Sequence, residues 1–475
     1  MKAEEQAKRA STKQASIFSL LKQAILGTEL NFTEGSIRRA IFLLSVPMII
    51  EMGMESVFAV VDIYFVSRLN DNNAVTAVGL TELSLTAIYS IAMGLATGAT
   101  ALVARRVGEK DTKGAGIAGV QAIYIGLFFA AVFTMVGIIF SGDILALLGA
   151  EQDVIDTGVG YMRWMWCGNL TIMMLFLING IFRGAGNAAI AMKTLVLANL
   201  LNIALDPIFI FGFGPIPAMG VEGAAIATNI GRCIGVLMQL YVLFGGTSVI
   251  KITSTNTAVK WDIIGTILKV SAGATGQFLI SSASWVFLGS IIARFGTAAV
   301  AGYTFGVRVI VFTILPSFGM ANAAATLVGQ NLGAGQPERA ESSVWKAGLY
   351  NMIFLGGVMV FFLLGSEFIM KIFTNDPEVI GYGRECLQVV AFGYVFYGYG
   401  MVVNQSFNGA GDTVTPTLIA LFGFWFFQIP LAYVLAIVFD FKTTGVYAAI
   451  AIAESVMAIV GIIIFRKGKW KAVKI

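Results

Sequence analysis

Phe182-Arg183-Gly184-Ala185-Gly186-Asn187 returns 225 positions further on as Phe407-Asn408-Gly409-Ala410-Gly411-Asp412. The same offset pairs Gly94-Leu95-Ala96 with Gly319-Met320-Ala321, Gly108 with Gly333, and Gly220-Val221 with Gly445-Val446. One offset shared by separated segments marks an internal duplication. The surrounding sequence fixes its setting. Of the 475 residues, 57% are hydrophobic and only 12% charged, whereas soluble domains carry about 25% charged residues. Apolar runs long enough to cross ~30 Å of hydrocarbon recur along the chain. The 54 glycines suit close helix packing in lipid.

Twelve spans are expected, near 37–67, 76–103, 114–140, 156–183, 189–213, 220–246, 262–293, 298–331, 340–365, 382–408, 415–439 and 445–465. Six helices per half is an even number, so the halves share one orientation. The expected fold is therefore an all-α membrane protein with two six-helix lobes. A pseudo-two-fold axis along the membrane normal relates them. The expected segments are 1–36 as a cytoplasmic N-terminal segment, 37–246 as the first lobe, and 247–261 as a polar linker. The second lobe follows at 262–466, then a basic tail at 467–475. Lys and Arg concentrate in the tails and in the loops after even-numbered spans, including Arg105, Arg106, Lys110, Lys113, Lys251 and Lys260. By the positive-inside rule both termini are cytoplasmic. The net charge of +4 reflects that bias, and no nucleic-acid partner is implied. The N-terminal segment has no apolar core with a cleavage site, so no signal peptide is expected.

These residues resemble the multidrug and toxic compound extrusion family over about 36–466. The likeness rests on an ordered set: Pro47, Val61-Asp62-Ile63, Val66-Ser67-Arg68-Leu69, Asn202-Ile203-Ala204-Leu205-Asp206-Pro207, Gly220 to Thr228, and Val328 to Gly335. The resemblance implies a cation-coupled antiporter of a bacterial inner membrane. It would export small amphipathic, often cationic, organic compounds, driven by H⁺ or Na⁺ and with no other cofactor. A monomer in the bilayer is expected.

Asp62 and Asp206 are intramembrane carboxylates, which cost at least ~2.5 kcal/mol unless they face a cavity or a partner. Counting from the span ends places Asp62, Asp206 and Thr228 at one depth, roughly 8–12 Å below the outer surface. Asn202 shares a helix face with Asp206 at i and i+4. Desolvation or a second carboxylate would suit a proton carrier; four hard oxygen ligands would equally suit Na⁺. The resemblance points to the same four positions, Asp62, Asn202, Asp206 and Thr228, as the cation site. The repeat partners of Asn202, Asp206 and Thr228 are Phe427, Leu431 and Ala453, so the second lobe lacks these groups. Its helices 7 and 10 hold almost no acidic residues, except Glu385 at the outer margin.

Glu51 and Glu55 share a face with Asp62, within about 40° on a 100°-per-residue wheel. That stripe is expected to line a central cavity as a surface for cations or a proton path, or else to pair with a buried base such as Arg232 or Arg308. Pro47 and Pro207 are candidate kinks. Gly94 with Gly98, and Gly329 with Gly333, are close-packing signals. Aromatic runs such as Tyr394 to Tyr399 could hold flat cations, or simply pack. Glu82 and Glu454 have no assigned role.

The sequence holds no histidine and three unpaired-looking cysteines, against a zinc or disulfide framework. No Walker motif marks an ATP-driven pump. Gly409-Ala410-Gly411-Asp412 mimics an intramembrane protease box, but its repeat copy ends in Asn187. No enzymatic activity is expected. The rival reading is a lipid-linked oligosaccharide flippase of the same superfamily, which would need a cationic cavity.

Overall fold

The computed structural model describes residues 17–27, 32–69, 71–245, 250 and 257–475; the side chains of residues 17, 58–60, 62, 63, 67 and 72 lie outside that description. The described chain is almost entirely helical. A short helix α1 (Ile17–Leu26) precedes the first lobe. That lobe contains α2 (Ile37–Ser67), α3 (Asn72–Gly108), α4 (Thr112–Leu147), α5 (Gln152–Cys167), α6 (Asn169–Gly184), α7 (Ala188–Phe211) and α8 (Gly220–Phe244). The second contains α9 (Trp261–Ile292), α10 (Thr297–Gly333), α11 (Pro337–Lys371), α12 (Pro377–Ala391), α13 (Tyr394–Ala410), α14 (Val414–Ala420), α15 (Ile429–Tyr433) and α16 (Lys442–Arg466). Eleven spans are long and apolar enough to cross a membrane, and the pair α12–α13 forms a twelfth.

Two expected straight helices are broken. The fourth span divides into α5 and α6 at Gly168, and the tenth bends by 59° between α12 and α13. The second break falls at Gly393, the repeat partner of Gly168. A side chain at Gly168 would overlap the Asn229 amide, and one at Gly393 would sit 3.0 Å from Ala451 Cα. Glycine thus lets the chain at both breaks press on a neighbouring helix. The eleventh span mixes α-helix with π-helical turns at Leu421–Gln428 and Val434–Val438, a form found mostly as local insertions in α-helices. Pro47 and Pro207 both lie within uninterrupted helices, α2 and α7. Each removes one backbone donor from its helix.

The duplication reappears as packing. A methyl on Gly184 would lie 2.7 Å from the Thr100 carbonyl; its partner Gly409 lies against the Ala325 carbonyl, which is the repeat partner of Thr100. Between lobes, α2 packs on α10 and α3 on α9 and α10. Gly94 and Gly98 press on Thr275 and Ser271 of α9, and Gly319 presses on the Met48 carbonyl of α2. Gly108 and Gly333 close the seam at the end of the bundle that carries both termini. Every glycine in these cross-lobe contacts belongs to the half of its helix nearer that end.

Candidate functional site: a buried acidic cluster and an inter-lobe crevice

The site begins with the way α7 meets its neighbours. Gly231 on α8 admits the Ala198 carbonyl of α7, where a methyl would come within 2.7 Å, and Gly223 admits the Phe209 carbonyl. This close approach brings Thr228, on the same stretch of α8, over Asn202. Asn202 Nδ2 donates to Asp206 Oδ1 at 2.9 Å and approaches Thr228 Oγ1 at 3.1 Å. All three residues are completely buried. The structure therefore joins three of the four sequence-predicted residues through one amide.

The fourth, Asp62, has its side chain outside the described residues; its backbone lies in the last two turns of α2. Asn199 Nδ2 on α7 donates to the Met54 carbonyl on α2 at 2.8 Å. Both helices run away from the termini. Asp62 is eight residues beyond Met54, and Asp206 seven beyond Asn199. At about 1.5 Å per residue both backbones reach the same level, roughly 10–12 Å past that bond.

Glu51 corrects the expected stripe. It is 1% exposed and lines neither of the two inter-lobe crevices described below. Its Oε1 accepts from Arg183 Nη1 and from Asn179 Nδ2, each at 3.0 Å. The partner is thus Arg183 on α6, and neither of the two expected bases. Glu55, half-buried one turn on, lies within the electrostatic reach of Arg232. Arg232 itself donates to the Tyr89 hydroxyl at 2.9 Å.

Arg183, part of the repeated segment Phe182–Asn187, is a site residue beyond those expected from sequence. It borders a crevice between the lobes, with Met52, Met93, Thr97, Phe176, Phe278, Phe318, Asn322 and Gln405. A second crevice, lined by Thr97, Thr100, Arg183, Asn322, Ala325, Gln405 and Gly409, adjoins it. The walls are repeat partners. Met93 matches Phe318, Thr97 matches Asn322, and Thr100 matches Ala325 at the common offset. The crevices therefore lie at the pseudo-two-fold axis. Each encloses only about 20 Å³, room for a water molecule. Gln405 Nε2 donates to Asn322 Oδ1 at 2.7 Å, and Asn408 Nδ2 donates to Gln405 Oε1 at 2.8 Å. The second-lobe wall is thus an amide chain, and Arg183 is the charged lining residue. Glu82 is exposed and Glu454 half-buried, and neither lines these crevices.

Two six-helix lobes with a polar crevice on their common axis, and a buried Asp206–Asn202–Thr228 cluster in one of them, define a polytopic membrane transporter of the duplicated-lobe class. The chain belongs to the MatE family: that family's model matches residues 47–208 and again 274–434, once in each lobe. A probable multidrug resistance protein, NorM, from Thermotoga maritima is 24% identical over 435 residues, covering 92% of this chain and 93% of its own. The multidrug export protein MepA of Staphylococcus aureus is 24% identical over 439 residues, covering 91% and 94%. Among solved structures, an outward-facing multidrug resistance MATE transporter of the MOP superfamily superposes with a TM-score of 0.88 at 28% identity. The superposition covers 94% of this chain and 99% of that one. A MOP superfamily transporter from Pyrococcus furiosus, whose binding pocket is described as of reverse polarity, superposes at 0.86 with the same identity, covering 93% and 98%. Members of the family are transporters, not enzymes, and this chain is a membrane transporter of that family.

Proposed function

We propose that the chain is a cation-coupled antiporter, using H⁺ or Na⁺, that exports small amphipathic or cationic organic compounds by alternating access from a bacterial inner membrane. Both termini then face the cytoplasm, and one chain suffices. The observation that carries this reading is the buried Asp206–Asn202–Thr228 cluster. An ionised carboxylate is costly in so buried a setting, which suits a group that takes up and releases a proton or Na⁺ during the transport cycle. With Asp62 at the same level, the cluster offers carboxylate, amide and hydroxyl oxygens to such an ion. Ion and substrate would compete through the lobe that both occupy.

The crevices support the alternating part of the reading. Drug-sized ligands fill clefts of ~300 Å³ or more, far above the present 20 Å³. The lobes must part before a substrate reaches Arg183, Asn322 and Gln405. The test is transport by purified protein in liposomes with pH and Na⁺ gradients imposed separately. Uptake of an aromatic cation should follow one gradient. Equal uptake with neither gradient would overturn coupling.

A second reading, a flippase for lipid-linked oligosaccharides, is favoured by one observation: the charged residue lining the crevices is a guanidinium. Glu51 neutralises it, which weighs against pyrophosphate recognition. Translocation of a fluorescent lipid-linked sugar without any ion gradient would establish that reading instead.

A further inference from the structure

We propose that residues 32–36 and 468–475 are crossed straps over the seam between the lobes, and that Arg339 and Arg105 grip them to hold the transporter closed on that side. This rests on the alternating-access reading above.

The C-terminal tail, expected from sequence to be a basic extension, is folded back. Gly468 turns the chain with φ 72° at the end of α16. Trp470 is then 1% exposed and stacks on Phe465 at 4.5 Å, while its Nε1 donates to the Phe465 carbonyl at 2.9 Å. Lys471 pairs with Glu341 at 2.6 Å and Glu338 at 3.0 Å, both on α11. Those two carboxylates hold its ammonium above the usual lysine range. All these anchors belong to the second lobe. The last residues then cross over. The Val473 carbonyl accepts from Arg105 Nη2 of α3, in the first lobe, at 3.1 Å. Ile475 packs against the first-lobe core.

The N-terminal segment makes the opposite crossing. It is covalently part of the first lobe, and the Leu26 carbonyl accepts from Lys193 on α7 at 2.8 Å. Arg339 on α11, in the second lobe, donates to the carbonyls of Phe32, Glu34 and Gly35 at 3.1, 2.9 and 2.9 Å. Each lobe's strap is thus gripped by an arginine of the other lobe.

Beneath the straps lie two direct bonds that correspond in the repeat to within one residue at the acceptor. Arg105 Nη2 also donates to the Ala410 carbonyl at 3.1 Å, and Gln330 Nε2 donates to the Gly184 carbonyl at 3.0 Å. Gln330 is the repeat partner of Arg105. The first-lobe copy alone is a guanidinium, with enough donors to reach both the seam and the tail. Hydrogen bonds weaken within a few tenths of an ångström past 3.2 Å. Parting the lobes at this end therefore breaks each of the cross-lobe bonds made by Arg105, Gln330 and Arg339.

The test is the distance between spin labels at Lys113→Cys and Val414→Cys, exposed positions on opposite lobes near the termini, with the native cysteines replaced by serine, in lipid nanodiscs. Deleting Val473–Ile475 leaves Trp470 and Lys471 in place, and Arg339→Gln leaves the chain intact. Each should raise the long-distance population roughly tenfold, as loss of charge-assisted bonds made in one state only requires. A fall in melting temperature without a change in that population would reduce the straps to packing and overturn the proposal. Two wild-type populations whose ratio both variants leave unchanged would overturn it while sparing alternating access. One unvarying distance at every pH and Na⁺ concentration would remove both.

Discussion

Gly333 rests on the carbonyl of Arg105 just as Gly108, its repeat partner, rests on the carbonyl of Gln330, the repeat partner of Arg105. The relationship reads the same in both directions, so a two-fold axis passes between these two contacts. It also fixes what the seam tolerates, because a side chain at either position would overlap backbone and not a yielding side chain.

Gly108→Ala and Gly333→Ala should therefore each weaken the closed seam by about 1–3 kcal/mol, the usual range for overpacking. Melting curves in detergent should show similar losses for the two. A loss confined to one of them would mean that the contacts are not equivalent.

Glu51→Gln should destabilise the protein by about 3–5 kcal/mol, because it leaves the buried Arg183 guanidinium without its charge partner. Adding Arg183→Gln should restore part of that loss. A double-mutant cycle on thermal stability reads the coupling directly. Additive losses would show that the ion pair at 3.0 Å contributes nothing to the lobe.

Asn202→Ala should lower coupled efflux by about ten- to hundredfold, the equivalent of one hydrogen bond to a charged group. It removes the amide that ties Asp206 to Thr228. Efflux rates in liposomes check this, and a rate within a factor of about two of wild type would place the cluster outside the transport cycle.

The duplicated fold was legible because small residues recur where backbones touch, and glycine leaves a mark that drift in lipid-facing positions does not erase. Gly184 and Gly409 are such a pair. The acidic cluster was legible because polar residues are expensive in an apolar helix, and the i, i+4 spacing set Asn202 beside Asp206. The breaks at Gly168 and Gly393 were not read, since hydropathy runs through them unchanged; their shared offset was the available signal. The partner of Glu51 was missed for a different reason. Wheel angles say which residues share a face, but not which helix faces them. Arg183, a lone base in the apolar stretch Asn169–Gly184, carried a signal in its own isolation.

The account depends on Asp206 as the ion-exchanging group of the first lobe. Its most direct test is gradient-driven efflux of an aromatic cation from liposomes containing wild-type protein or Asp206→Asn, with equal reconstitution verified. The carboxamide keeps the shape and the hydrogen-bonding capacity but removes the charge. The account predicts that the variant still binds the cation yet shows no efflux above protein-free liposomes under either a pH or a Na⁺ gradient. Efflux at the wild-type rate would contradict it.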